Sequence, residues 1–185
     1  MIGNDIIDLA LAHKESRWQR RGFLTKLFTT KEQWLISKAS DSEIMVWSLW
    51  SRKEAVYKIY NRQTQIRAYI PLHLECLDGQ NSLGIYYGKV QCFDQIYYTK
   101  TLITADFIDT VAVQNPDDFE RIETLAPSVI IQKKNGIPSY LTENTVFKPL
   151  SKSHHGRFER LVTLSDLPPI WLRNQEQLVR KSVLF

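Results

Sequence analysis

The chain has 185 residues, 43% of them apolar and 24% charged, which suits one domain or one domain with an appendage and requires no metal or disulfide framework for stability. Cys76 and Cys92 lack CxxC spacing and fall in runs that read as strands, so both are expected to be buried thiols in a reducing compartment. A net charge of +4 admits an anionic cofactor, an acidic protein or nucleic acid, while the opening MIGNDIIDLA has no basic n-region and no apolar run reaches the ~20 residues of a membrane span, so the cytoplasm is expected and no membrane partner.

In chain order, residues 2–7 suit a short strand, and Asp8 can cap a helix over roughly 9–20. Residues 14–26 concentrate charge: Lys14, Arg17, Arg20, Arg21 and Lys26 stand against Glu15 alone. Thr29 and Thr30 open a second helix, and Asp41 or Ser42 a long third one over about 42–60. On that helix Met45, Leu49, Val56 and Tyr60 gather on one side and Trp47, Trp50, Glu54 and Lys58 on the other, so one face can pack on a sheet while the other lines a cleft. From Pro71 the texture turns to period two: LHLECL, LGIYYGKVQCF, IYYTKTLIT and DFIDTVAVQ, separated by DGQNS, DQ and AD, predict an antiparallel meander. Residues 116–118 end it, ERIETL suits a short helix or strand, and a last segment carries NGIPSY, SKSHHGRFERLV and the Pro168-Pro169 break. The fold class expected is α+β, an antiparallel sheet with helices on one face, with a core over 1–125 and a segment over 126–185 in the same domain.

Three features carry chemistry. Glu54 and Lys58, four apart, could be a plain surface ion pair, but they share a face with two tryptophans. Asp5 lies within an apolar hexapeptide, where a carboxylate is costly unless paired or bound to a cation. Two carboxylates from separate elements are what Mg2+ needs when substrate phosphates supply its other oxygens. The adjacent His154 and His155 point to opposite faces if they lie on a strand, so one at most is expected in a given site. A zinc site is disfavoured, because the cysteines show no partner spacing.

The heptapeptide GNDIIDL (residues 3–9) resembles the GxDIxxI/L opening of holo-acyl-carrier-protein synthases, and FTTKEQWLI (28–36) their F-[ST]-x-x-E segment. WSRKEAVYK (50–58) is similar to the W-[AS]-x-KEAxxK signature of the 4'-phosphopantetheinyl transferase superfamily. NGIP (135–138) and SKSHHGRF (151–158) resemble the GKP and SHSGRW-like segments of its longer type, the one that activates surfactin synthetase, although there they precede the GxDI strand. The resemblance implies Mg2+ on Asp5 and Glu54, with coenzyme A as substrate and an apo acyl or peptidyl carrier protein as acceptor. It implies Lys58 at the pyrophosphate, Glu54 and Lys58 as catalytic residues, and Ser153 with His154 at the nucleotide's phosphate. Ile137 stands where GKP has lysine, so that contact is lost or supplied by Lys133 or Lys134, and Ile7 stands where the longer type has a further acid. One KEA helix and a short tail imply a site completed by that tail or by a second subunit; a homo-oligomer is favoured, because Trp47 and Trp50 need cover. The alternatives are a non-catalytic member binding nucleotide or carrier protein and a basic RNA-binding module. Nucleic acid is not expected as a partner, since the cationic cluster lies away from the aromatic-rich strands and no RNP-like motif occurs.

Overall fold

The computed structural model describes residues 1–166; the Pro168-Pro169 break lies outside them. The architecture is α+β. Strand β1 (Ile2–Asp8) forms one edge of a five-stranded antiparallel sheet whose other members are β2 (Leu74–Ser82), β3 (Ile85–Cys92), β4 (Gln95–Ile103) and β5 (Phe107–Val113), in the order β1-β5-β4-β3-β2. The meander follows the period-two reading with one change. DGQNS is not a separator: it belongs to β2, where the register with β3 shifts between Leu77 and Gln80 in a bulge.

The N-terminal helices are shorter than the sequence suggests. Helix α1 (Leu9–Glu15) is capped by the Asp8 carboxylate, which accepts from the Ala10 and Leu11 amides. It ends where Ser16 turns extended and closes on the Ala12 carbonyl, not near residue 20. Gly22, at φ 82°, then starts α2 (Phe23–Leu27), so Arg17, Arg20 and Arg21 sit on the connection between two short helices. Helix α3 (Thr30–Lys38) opens on a full capping box, Thr29 and Glu32 each binding the other's backbone amide.

Helix α4 (Ser42–Thr64), capped by Asp41, is the central element. Val46, Leu49, Val56 and Ile59 bury against the sheet, but Trp47, Ser51, Arg52 and Lys53 are buried as well, so the two-faced reading needs correcting. Between residues 46 and 56 most positions are sealed, and a stripe through Trp50, Glu54, Tyr57, Lys58 and Asn61 is half open, as are both ends of the helix. Gly3 lets β1 cross this helix closely: a Cβ there would stand 2.0 Å from the Ala55 carbonyl oxygen.

Polar groups on the sealed faces are paired. The Arg52 guanidinium reaches the β2 bulge and donates to the Leu77 and Lys89 carbonyls and the Thr99 hydroxyl. Lys53, fully buried, donates to Glu32 at 2.6 Å and to the carbonyls of Leu27 and Pro71, while the other oxygen of Glu32 accepts from the Cys76 amide. Cys76 and Cys92 are free and buried.

After a 3-10 turn at Pro116–Arg121 come β6 (Ile122–Thr124), β7 (Ile131–Lys134), β8 (Ile137–Leu141), β9 (Phe147–Pro149), β10 (Ser151–His155) and β11 (Phe158–Leu164). ERIETL is thus both, 3-10 turn and then strand. The tail forms two three-stranded sheets, β7-β8-β9 and β10-β11-β6. Because β6 pairs with β11, a cut at residue 125 would divide the second of these. No helix among the described residues is long and apolar enough to cross a membrane.

The Glu32–Lys53 pair yields the first prediction. Removing one partner leaves a buried charge alone, so Glu32→Leu or Lys53→Met should each cost about 3–5 kcal/mol in urea unfolding. The double substitution should cost less than either single one. Single-variant losses below about 1 kcal/mol would show that the pair does not organise the fold.

Candidate functional site

β1 and α4 bring the sequence candidates together. Asp5, mid-strand and nearly buried, accepts a hydrogen bond from the Ser153 hydroxyl at 3.0 Å and lies 3.6 Å from the Lys58 ammonium. Lys58 also donates to the Asn4 carbonyl at 2.5 Å. Burial pushes the Asp5 carboxyl above its usual value, against the opposing pull of Lys58, Ser153 and Ser51.

Glu54 stands one turn before Lys58 on the half-open stripe. Burial raises its carboxyl from an ordinary 4.5 to about 7, the charge of Asp5 adds to the rise, and Lys58 opposes it. The Tyr69 hydroxyl lies beside this carboxylate without a hydrogen bond of ordinary geometry, and burial above all holds its own ionisation far above the usual range. Asp5 and Glu54 are therefore two acids that a cation would relieve. Among the described residues no three His, Cys, Asp or Glu side chains form a metal cluster, and Asp5 with Glu54 is a pair of carboxylates that could hold a cation. That suits a Mg2+ ion whose remaining ligands come from substrate and water.

Two cavities flank this site, and Glu54 lies in the wall of neither. The larger, about 380 Å³, is lined by Asp5, Arg17, Arg20, Trp50, His154 and His155 among others. The smaller, about 200 Å³, is cationic, with Lys58, Arg62, Lys133 and Lys152 in its wall. As Asp5 borders one and Lys58 the other, their ion pair stands between them. Lys134 is not in this group; it borders a separate recess beside Arg62 and Asn135. Ile137, in the place of the GKP lysine, lines the cationic cavity.

The tail is placed by side chains, not by strand pairing. Ser151 Oγ accepts from the Asn4 amide, Ser153 Oγ from the Ile6 amide, and His155 Nδ1 from the Asp8 amide, at 2.9, 3.0 and 2.9 Å. Alternate residues of β10 thus cover alternate amides on the free edge of β1. The Ser153 proton is directed at Asp5. His154, of opposite parity, is exposed, yet both histidines border the larger cavity, which corrects the expectation of one at most. The chain's own tail borders the site, and Trp47 is 8% exposed within the single chain, whereas Trp50 stays half-buried in the wall of the larger cavity.

Sequence reasoning missed several contributors. Asp8 is more than a cap: it accepts from the Arg157 amide and twice from its guanidinium, and that guanidinium holds the carboxyl well below the usual range. Arg62 donates to the Pro138 and Leu150 carbonyls and so anchors the NGIP hairpin to α4. Its spacing of four from Lys58 on one helix face was the available signal.

A buried carboxylate, a half-buried one and an ammonium thus lie between two cavities whose walls carry cationic side chains, an arrangement suited to a phosphorylated ligand. The family model of the 4'-phosphopantetheinyl transferase superfamily matches residues 1–104, more than half the chain, and the chain belongs to that superfamily. Comparison with curated proteins gave no match. Asp5, Glu54 and Lys58 lie inside the matched residues, whereas all the tail's contributions lie beyond them.

The Glu54 carboxyl carries the second prediction. Its folded-state pKa is raised, so the stability it contributes is complete below about 4.5 and is lost as pH rises through about 7. Without divalent cations, urea titrations should show a loss of at most about 3 kcal/mol across that window. Glu54→Gln should reduce it, leaving the part contributed by Asp5, whose carboxyl burial also raises. An unchanged slope in the variant would remove Glu54 as the group responsible.

Proposed function

We propose that this chain transfers the 4'-phosphopantetheine group of coenzyme A to a serine of an apo acyl or peptidyl carrier protein, with Mg2+ as cofactor and 3',5'-ADP as the product released. The observation that carries the reading is the convergence of Asp5, Glu54 and Lys58 between the two cavities. Superfamily membership supports a transferase acting with coenzyme A and a carrier protein. The cytoplasm is where the reading places it.

In this reading Asp5 and Glu54 hold the Mg2+, and the bound ion would neutralise charge on the pyrophosphate. Lys58 has three ammonium protons, of which the Asn4 carbonyl and the Asp5 carboxylate take two. The third is free for a phosphoryl oxygen, and Lys133 can reach another from the same cavity wall. In this reading Glu54 also takes the proton of the carrier's serine, directly or through a water molecule. That serine's oxygen forms the new bond to phosphorus as the bond to 3',5'-ADP breaks. Ser153 acts through Asp5, orienting its carboxylate, and His154 serves the nucleotide's phosphate.

Incubating the chain with coenzyme A, Mg2+ and an apo carrier protein should add about 340 Da to the carrier, the mass of the transferred group. Glu54→Gln should lower kcat by orders of magnitude without unfolding the protein. No mass shift with any of a panel of fatty-acid, polyketide and peptide carriers would overturn the reading, and near-normal turnover in Glu54→Gln would remove that residue's role.

The cationic connection after α1 is proposed to meet the acidic surface of the carrier. Arg21 lies outside the larger cavity that Arg17 and Arg20 border. Arg21→Glu should therefore raise KM for the carrier and leave KM for coenzyme A unchanged, with added salt having the same effect in the parent. If both KM values rose together, the docking assignment would fail.

A further inference from the structure

The larger cavity holds an imidazole whose orientation is set by the backbone, and it is not the histidine that the motif resemblance singles out. We propose that His155 is a fixed hydrogen-bond donor to a phosphoryl oxygen of the coenzyme, and so a binding determinant of this site. The proposal rests on the coenzyme A reading above.

The tautomer follows from geometry. The Asp8 amide can only donate, and it meets His155 Nδ1 at 2.9 Å, so Nδ1 accepts and the ring proton sits on Nε2. Nε2 makes no hydrogen bond to protein among the described residues, and His155 borders the cavity. A hydrogen-bond donor held by one edge and open at the other is what an anionic oxygen requires.

The ring cannot easily turn away, because the hairpin that carries it is clamped. Arg157 binds both oxygens of Asp8, and Gly156, at φ 54°, brings the turn so near that a Cβ would stand 2.5 Å from Asp8 Oδ2. Asp8 thus holds its own helix by accepting from the Ala10 and Leu11 amides and holds the hairpin through Arg157, while its amide holds the imidazole. His154 makes no hydrogen bond among the described residues, and the Ser153 proton is engaged by Asp5. Of the three consecutive side chains, His155 presents the oriented donor. Arg17 and Arg20 in the same cavity wall carry positive charge, beside the carboxyls of Glu15 and Asp5.

Two substitutions separate holding the hairpin from binding the ligand. In His155→Asn the amide oxygen can take the place of Nδ1 and keep the Asp8 contact, but nothing replaces Nε2–H. His155→Gln can offer an N–H near the Nε2 position and gives up the Asp8 contact. Calorimetry with coenzyme A and Mg2+ should show His155→Asn weaker than the parent by at least about tenfold, the loss expected for one hydrogen bond to a charged oxygen. Its Tm should match the parent's, and His155→Gln should recover part of the affinity. Equal affinity of His155→Asn and parent would overturn the inference, whereas failure of the parent itself to bind coenzyme A would overturn the reading beneath it. A measurement on the parent alone guards against a variant that does not fold: the 15N resonances of the His155 ring should report the Nε2–H tautomer, and the Nε2 signal should move when coenzyme A is added. An Nδ1–H tautomer, or a stationary signal at saturating ligand, would equally overturn it.

Discussion

An edge strand leaves every second backbone amide without a ladder partner, and in β1 three of these, at Asn4, Ile6 and Asp8, are met by Ser151, Ser153 and His155. The rest of the site depends on this contact. β1 carries Asp5, and the side chains that cover its edge belong to the segment that closes the larger cavity. Satisfying a buried edge and completing a ligand site are here one act of packing. Side chains do what a sixth strand would have done, and unlike a strand they bring a hydroxyl to Asp5 and an imidazole to the cavity.

A second constraint sets the position of α4. Lys53 and Glu32 join that helix to α3, to the end of α2, to the turn at Pro71 and to β2 through one buried pair and its carbonyl and amide partners. Such a pair offsets its own desolvation only when its hydrogen bonds are satisfied, and these are. Glu54 follows Lys53 directly in the chain. The pair that locks one side of the helix therefore also fixes the angle at which the next residue meets Asp5.

The electrostatics of the site are unbalanced by construction. Asp5 and Glu54 are both driven toward the neutral form by burial, with one ammonium near them, while the cavity walls carry Arg17, Arg20, Arg62 and Lys133, with Glu15 beside the first two, and Lys152, which is paired with Glu159. A polyanionic ligand with a divalent cation would correct both imbalances at once, the cation meeting the carboxylates and the phosphates meeting the wall.

Much of this was legible from residue order alone. The 3.6-residue period placed Glu54 and Lys58 on one stripe of α4, the period-two runs marked β2 to β5, and Asp8, Thr29 and Asp41 announced their helices because capping is a local hydrogen-bond problem. The carboxylate within GNDIIDL could be suspected of pairing because burial of a lone charge is costly wherever it occurs. What the tertiary structure decided is non-local. That Lys53 would be fully buried, that Arg157 would find Asp8 across 149 positions, and that His155 as well as His154 would reach the cavity depend on which strand lies beside which. The period-two spacing of Ser151, Ser153 and His155 was visible in the sequence, but a spacing states only that three side chains share a face; the edge of β1 that they cover had first to be brought against them.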